Sequence, residues 1–188
     1  MKRAVFLDRD GTLIDKKAGE YITRIEDVRI FPNTAEAIRL LNRKFLVIII
    51  TNQPQIARGL CTEKDVKKIN NYIITKLEKN GAKIDSVFYC PHHPDVNNEA
   101  KKYSIVCGCR KPEIEMVLGA KNKFGIDLQK SYFVGDTTTD IKTGKNSGCK
   151  TVLVKTGDGG SDNRYRVKPD FVCANLLLAA KKILEDTS

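Results

Sequence analysis

The chain has 188 residues, 41% hydrophobic and 30% charged, which fits one globular domain with a substantial core and excludes extensive disorder. No apolar run approaches the ~18 residues needed to span a bilayer, so no membrane association is expected. The formal net charge of +10 comes from scattered lysines in short doublets such as Lys16-Lys17, Lys67-Lys68, Lys101-Lys102 and Lys181-Lys182. Without a basic block or interleaved aromatics, solvated helix faces account for that charge better than a nucleic-acid surface does.

Met1-Lys2-Arg3 leads straight into the apolar run Ala4 to Leu7, with no signal-peptide pattern, so a cytoplasmic location is expected. In a reducing compartment the six cysteines are thiols or metal ligands rather than a disulfide framework. The opening run reads as a buried strand that ends abruptly in Asp8-Arg9-Asp10-Gly11. Alternate residues of an extended segment face the same way, so Asp8 and Asp10 can address one site. Two close carboxylates call for a cation beside them, and a hard oxygen site suits Mg²⁺ better than Zn²⁺. The competing reading is a pair of aspartates on a surface turn.

Asp15 to Arg29 reads as a polar loop over that strand end. Asn33 and Glu36 give a helix-start signal, and Ala37, Ile38 and Leu41 share one helical face, with the helix ending near Lys44. Leu46 to Ile50 is a second buried strand, ending in Thr51-Asn52-Gln53. Thr62 is an N-cap for a helix reaching about Asn80, with Val66, Ile69, Ile73, Ile74 and Leu77 at helical spacing and Gly81 as its stop. Val87 to Tyr89 is a short strand leading into Cys90. Some twenty residues of coil follow, too many to be held by core packing alone.

Pro112 marks the expected start of the next helix, which Gly125 stops. Tyr132 to Val134 is a strand ending in Gly135-Asp136. A helix spans about Asp140 to Asn146, a strand Thr151 to Val154, a flexible turn Gly157 to Asp162, a short strand Asp170 to Val172, and a final helix about Asn175 to Glu185. Solid apolar strands alternating with helices predict an α/β fold, a doubly wound Rossmann-like parallel sheet covered on both faces. Ligands in such a sheet bind at the carboxyl edge, where Asp8, Asp10, Thr51, Asn52 and Asp136 are all expected, with Arg110-Lys111-Pro112 supplying a cation before a helix.

These residues resemble the haloacid dehalogenase superfamily of phosphatases. The first motif matches as Asp8-Arg9-Asp10-Gly11-Thr12, the second as Thr51, the third as Lys111 and the fourth as Gly135-Asp136 with Asp140. Together with Thr51-Asn52-Gln53 and the CxH…CxCRKP segment, they resemble the D-glycero-D-manno-heptose-1,7-bisphosphate 7-phosphatases and their histidinol-phosphate phosphatase relatives. The resemblance implies a phosphoric monoester hydrolase with Asp8 as nucleophile and Asp10 as general acid/base. It implies Mg²⁺ on Asp8, Asp136 and the backbone carbonyl of Asp10, phosphoryl contacts from Lys111, Thr51 and Asn52, and a supporting place for Asp140. That place is beside Lys111 or the metal's water shell; a plain helix cap is the other reading.

Cys90, His92, Cys107 and Cys109 form a second constellation. Two close pincers of thiolate and imidazole ligands favour a tetrahedral Zn²⁺, closed by four protein ligands and therefore structural. Buried free cysteines are the alternative, and His93 competes with His92 as ligand; the resemblance favours His92. Cys149 and Cys173 read as packing residues and Cys61 as a loop thiol. The motif intervals leave no room for a large cap domain, so the zinc-binding loop 90–109 and the Asp15 to Ile30 loop must contact a phosphorylated sugar. Gly19, Glu20, Tyr21, Gln53 and Arg58 are implied substrate contacts by resemblance, and Arg110 suits a second phosphate. Pro54 departs from the serine usual in the heptose enzymes. The expectation is a monomeric single domain over 1–188 that hydrolyses a heptose bisphosphate, with a histidinol-phosphate phosphatase and a non-catalytic basic zinc module as alternatives.

Overall fold

The apolar runs pair as the centre of a parallel sheet. In the computed structural model, which describes residues 1–16, 19–95 and 101–187, the strands are β1 (Ala4–Leu7), β2 (Leu46–Asn52), β3 (Ser86–Cys90), β4 (Tyr132–Gly135), β5 (Lys150–Val154) and β6 (Phe171–Cys173). Their spatial order is β3-β2-β1-β4-β5-β6, every neighbouring pair parallel. Lys17, Ala18 and residues 96–100, parts of the two loops expected to contact substrate, lie outside the described residues. Among the described residues no helix is long and apolar enough to cross a membrane.

Alternation along the strands divides the core in two. Val5, Leu7, Val47, Ile49, Val134 and Val152 face one side, packed with residues of α1 (Thr34–Asn42), α2 (Glu63–Glu78) and α5 (Leu176–Asp186). Ala4, Phe6, Ile48, Ile50 and Phe133 face the other side, against Met116, Val117 and Ala120 of α3 (Glu115–Phe124). A strand buried on both faces cannot alternate polar with apolar, which is why these runs are solid.

The chain leaves β1 toward β2 and β3 first and returns to its other side for β4, β5 and β6. The strand order therefore reverses beside β1, and a crevice forms where flanking connections diverge. Leu7 pairs with both Ile49 and Val134, so the next residue, Asp8, emerges level with the ends of its neighbours.

Most helix boundaries follow the sequence signals. Thr62 caps α2 through a capping box with Asp65, and Gly125 ends α3 in the left-handed conformation. Asn33 precedes α1 as expected, but with φ 63° and no side-chain cap bond, so it turns the chain rather than capping the helix. The larger difference is at Pro112: α3 begins three residues later, at Glu115, and the Lys111–Pro112 peptide bond is cis. Asn52 gives the physical reason. Its amide donates to the Lys111 carbonyl at 3.2 Å and accepts from the Lys111 N–H at 3.0 Å, tying this segment to the end of β2 instead of releasing it into a helix.

Candidate active site

Asp8 leaves β1 with its backbone N–H still donating to Val134 at 2.9 Å, so its carboxylate is fixed to the sheet edge. Lys111 reaches that carboxylate from the Asn52-tethered segment. Its Nζ donates to Asp8 Oδ1 at 2.7 Å, to Asp140 Oδ1 at 2.6 Å and to the Ile50 carbonyl at 3.0 Å. Three acceptors exhaust an ammonium's donors, which lets a lysine side chain 4% exposed keep its charge. Burial works against that charge, but Asp140 and Asp8 outweigh it and raise the Lys111 pKa.

Both readings of Asp140 hold at once, with one amendment. One oxygen accepts from Lys111, and the other accepts from the Thr137 backbone N–H at 3.1 Å as the N3 half of a capping box at the start of α4 (Thr138–Asn146). Thr137, not Asp140, is the N-cap.

Asp136 follows β4 and is 2% exposed. The Asp158 N–H donates to its Oδ2 at 2.8 Å, and the backbones of Gly11 and Gly157 press against it. A Cβ on either glycine would lie 2.2 Å from that oxygen, and both hold positive φ, +88° and +57°, so neither position admits a side chain. Oxygens of Asp8, Asp136 and Asp140 lie within 4.8 Å of one another, all buried.

This crowding of like charge shows in the titration. Burial pushes Asp8 up to about 6 against the pull of Lys111, with Asp140 and Asp10 adding to the rise. Burial, then the charges of Asp8 and Asp140, push Asp136 up to about 8. One ammonium cannot neutralise three carboxylates, and a divalent cation with oxygen preference fits the deficit. Asp8, Asp136 and Asp140 could each offer such an ion an oxygen; Asp8 and Asp140 also accept from Lys111, and Asp136 from the Asp158 N–H. The Asp10 carboxylate is not in this group. It is held by Arg9 and Gln53 instead.

A solvent-open cleft of about 240 Å³ stands over these groups. Of the residues expected from sequence, Asp8, Asp10, Gly19, Glu20, Tyr21, Thr51, Asn52, Arg58, Arg110, Lys111 and Asp140 line it. The placement of two expected contacts is corrected. Gln53 does not line the cleft: it is fully buried, its amide nitrogen donating to Asp10 and Thr51 and its oxygen accepting from Gln55 at 2.6 Å. Asn52 is amended only in part: it reaches the lining, and its amide oxygen and one amide N–H pair with the Lys111 backbone, so it also places the lysine.

Sequence reasoning missed His93, Asp158, Asp162 and Arg164 at the cleft. The last three come from the Gly157 to Asp162 turn and its continuation, where only flexibility was legible. The missing signal was long-range: Asp162 accepts from the Thr138 N–H and hydroxyl, both at 2.7 Å, folding this turn over the start of α4. Burial, then the charges of Arg110 and Arg58, lower the pKa of His93.

The second constellation also assembles. Ligand atoms of Cys90, His92, Cys107 and Cys109 lie within 4.8 Å of one another. Cys109 Sγ is 3.0 Å from Cys90 and 3.3 Å from Cys107, and His92 Nδ1 is 3.3 Å from Cys109. A tetrahedron with Zn–S bonds of ~2.3 Å has S–S edges of ~3.8 Å, so a small outward adjustment fits the ion. Burial pushes the Cys109 thiol up to about 11 and the Cys90 thiol also up, and a cation joining them would bind them as thiolates. His93 turns away from the cluster; its Nδ1 accepts from the Asp95 N–H at 3.2 Å. The Arg110 guanidinium donates to the His92 carbonyl at 3.0 Å, joining the cluster to the cleft.

A D-glycero-D-manno-heptose-1,7-bisphosphate 7-phosphatase of Chlorobaculum tepidum is 34% identical, with 94% of this chain aligned to 92% of that protein. The chain belongs to the heptose-bisphosphate phosphatase family. This family lies within the haloacid dehalogenase-like hydrolases, whose HAD-hydrolase-like family model matches residues 108–179. The chain is accordingly a phosphoric monoester hydrolase. A Pasteurella multocida D-glycero-beta-D-manno-heptose-1,7-bisphosphate 7-phosphatase is 39% identical over 84% of each chain. The structure of a D,D-heptose 1,7-bisphosphate phosphatase from B. bronchiseptica, complexed with magnesium and phosphate, superposes with a TM-score of 0.84 at 28% identity, covering 99% of both chains. Among the described residues the sheet carries no large cap domain. The non-catalytic zinc module is set aside.

Proposed function

We propose that this family member removes the 7-phosphate of D-glycero-D-manno-heptose 1,7-bisphosphate in a Mg²⁺-dependent reaction through an aspartyl-phosphate on Asp8. The observation that carries the reading is the contact of Lys111 Nζ with Asp8 at 2.7 Å, beside the buried Asp136 and beneath a cleft that also holds Arg58, Arg110 and Arg164.

A phosphomonoester dianion repels a carboxylate nucleophile, so positive charge must converge where it binds. Lys111 supplies one charge and orients Asp8 Oδ1. Asp8, Asp136 and the Asp10 backbone carbonyl would hold Mg²⁺, which would supply the remaining positive charge and favour the ionised form of Asp8. The Thr51 hydroxyl contacts the phosphoryl oxygens. Asp10 gives its proton to the departing sugar oxygen and takes one from the water that releases phosphate.

Arg110 and Arg58 meet the second phosphate and the sugar, along with Gly19, Glu20 and Tyr21. A guanidinium fork matches a phosphate in two parallel hydrogen bonds, and Arg58 is already placed 5.7 Å over the Tyr21 ring. Zn²⁺ on Cys90, His92, Cys107 and Cys109 is structural and secures Arg110 and Lys111, the two residues next in sequence. We assign residues 1–188 to one cytoplasmic, monomeric phosphatase domain with the loop 90–109 inserted.

Relatives named for the β and α anomers are 39% and 38% identical, so similarity does not choose between anomers. Steady-state kinetics on both anomers of the bisphosphate and on histidinol phosphate test the reading. The bisphosphates are expected to give the higher kcat/KM, by about tenfold or more for a site that pairs a second phosphate. Equal or better hydrolysis of histidinol phosphate would contradict the substrate assignment.

A further inference from the structure

Arg9 is the largest fully buried side chain among the described residues. Its Nε donates to Asp10 Oδ2 at 3.1 Å, its Nη2 lies 3.0 Å from Asp10 Oδ1 and 2.9 Å from Oδ2, and its Nη1 donates to Asn70 Oδ1 of α2 at 2.8 Å. A buried guanidinium carries a desolvation cost, and its ordering costs rotamer entropy. An apolar residue would serve the packing of a strand end without either. Gln53, equally buried, adds a donor to Asp10 Oδ2 at 2.8 Å and is itself fixed by Gln55.

Counting lone pairs gives this arrangement a direction. Asp10 Oδ2 accepts from Arg9 Nε and Gln53 Nε2, which fills both its positions, and Arg9 Nη2 sits between the two oxygens, so Oδ1 has only a share of one donor. Among the described residues one acceptor position remains, on Oδ1, and Asp10 lines the cleft. We infer that Arg9 and Gln53 are positioning residues that clamp Asp10 so that Oδ1 alone exchanges the catalytic proton. This rests on the reading of Asp8 as nucleophile and Asp10 as acid/base.

The two half-reactions then share one atom. In the first, the Asp8 oxygen bonds to phosphorus, the bond from phosphorus to the sugar oxygen breaks with its electron pair on that oxygen, and the Asp10 Oδ1 proton neutralises it. In the second, a water oxygen bonds to phosphorus, its proton passes to Asp10 Oδ1, and the electron pair of the breaking acyl-phosphate bond returns to Asp8. Donors fixed on Asp10 also restrict the orientation in which it must meet that water.

Single-turnover kinetics with enzyme in excess of p-nitrophenyl phosphate and saturating Mg²⁺ separate these steps. Nitrophenolate leaves as a stable anion and needs no proton, so its release reads the first step without Asp10; inorganic phosphate release reads the second. In Arg9→Met and Gln53→Glu, phosphate release is expected to slow by roughly 10- to 100-fold, with nitrophenolate release within about threefold of wild type. Arg9→Lys keeps the charge, loses the fork and falls between. Equal slowing of both steps, the mark of a merely structural role, overturns the inference; so does wild-type phosphate release in both variants. If Arg9→Met does not fold, Gln53→Glu decides, because its nitrophenolate phase reports the intact site. The underlying reading fails separately: an Asp8→Asn enzyme that still releases nitrophenolate at the wild-type rate removes the nucleophile, and the clamp falls with it.

Discussion

Burial first, and then the neighbouring carboxylates, raise the pKa of Asp136 and Asp8 at the site they share. Together they hold the two groups at about 8 and about 6, above the ordinary aspartate value of 3.8. A raised carboxyl pKa means that the folded protein binds protons the unfolded chain has already lost. The metal-free protein therefore becomes less stable as pH rises from about 4 toward 8. Mg²⁺ binds the ionised carboxylates, so it competes with protons, and its stabilisation grows over the same interval. The shift in thermal midpoint on adding Mg²⁺ is expected to be several degrees larger at about pH 8.5 than at about pH 5.5. An equal shift at both would separate the metal from these carboxylates. At this scale the sequence was informative about residue identity: Asp8, Thr51, Lys111 and Asp136 were legible because each ends a strand or precedes a helix. Gln53 was not, because an amide beside a motif reads the same whether it faces ligand or clamps a neighbour.

Elements differ in how much of them local sequence can state. The strands were legible because burial on both faces demands unbroken apolar runs, and α2 because its cap and its face agree. Pro112 misled for a physical reason: helix-start chemistry is local, whereas the tether from Asn52 that diverts the chain is 59 residues away in sequence. The segment from Cys90 to Cys109 was expected from its ligand spacing to hold a metal, and the structure brings candidate donor atoms of Cys90, His92, Cys107 and Cys109 within 4.8 Å of one another. Its mechanical role follows from adjacency: Cys109 is followed by Arg110, bound to the His92 carbonyl, and Lys111, bound to Asp8. Cys109→Ser is expected to lose zinc and to lower kcat by about 10- to 100-fold, since Lys111 is then no longer held in register. Metal analysis with parallel kinetics checks this, and a zinc-free variant of ordinary turnover would detach the loop from catalysis.

Across the whole molecule, the parallel order β3-β2-β1-β4-β5-β6 makes one strand end the meeting point of segments from both halves of the chain. Lys111 and Asp8 are 103 residues apart, and Thr12 and Asp136 are 124 apart, yet each pair is in contact. Fold class and the catalytic edge could be anticipated because topology rules are few and strand ends are easy to find. The cleft wall from Asp158 to Arg164 could not, since its place depends on packing against α4 rather than on its own composition. The net charge of +10 now has a local component, with Lys16, Arg58, Arg110, Lys111 and Arg164 around one cleft that also contains acidic groups.

Chemical trapping is the most direct measurement. Rapid acid quench of enzyme turning over a phosphomonoester with Mg²⁺, followed by peptide mass spectrometry, should find the phosphoryl group on Asp8, and Asp8→Asn should abolish both the adduct and turnover. Phosphate release by Asp8→Asn at the wild-type rate, or an adduct on another residue with Asp8 unmodified, would contradict covalent catalysis from the end of β1.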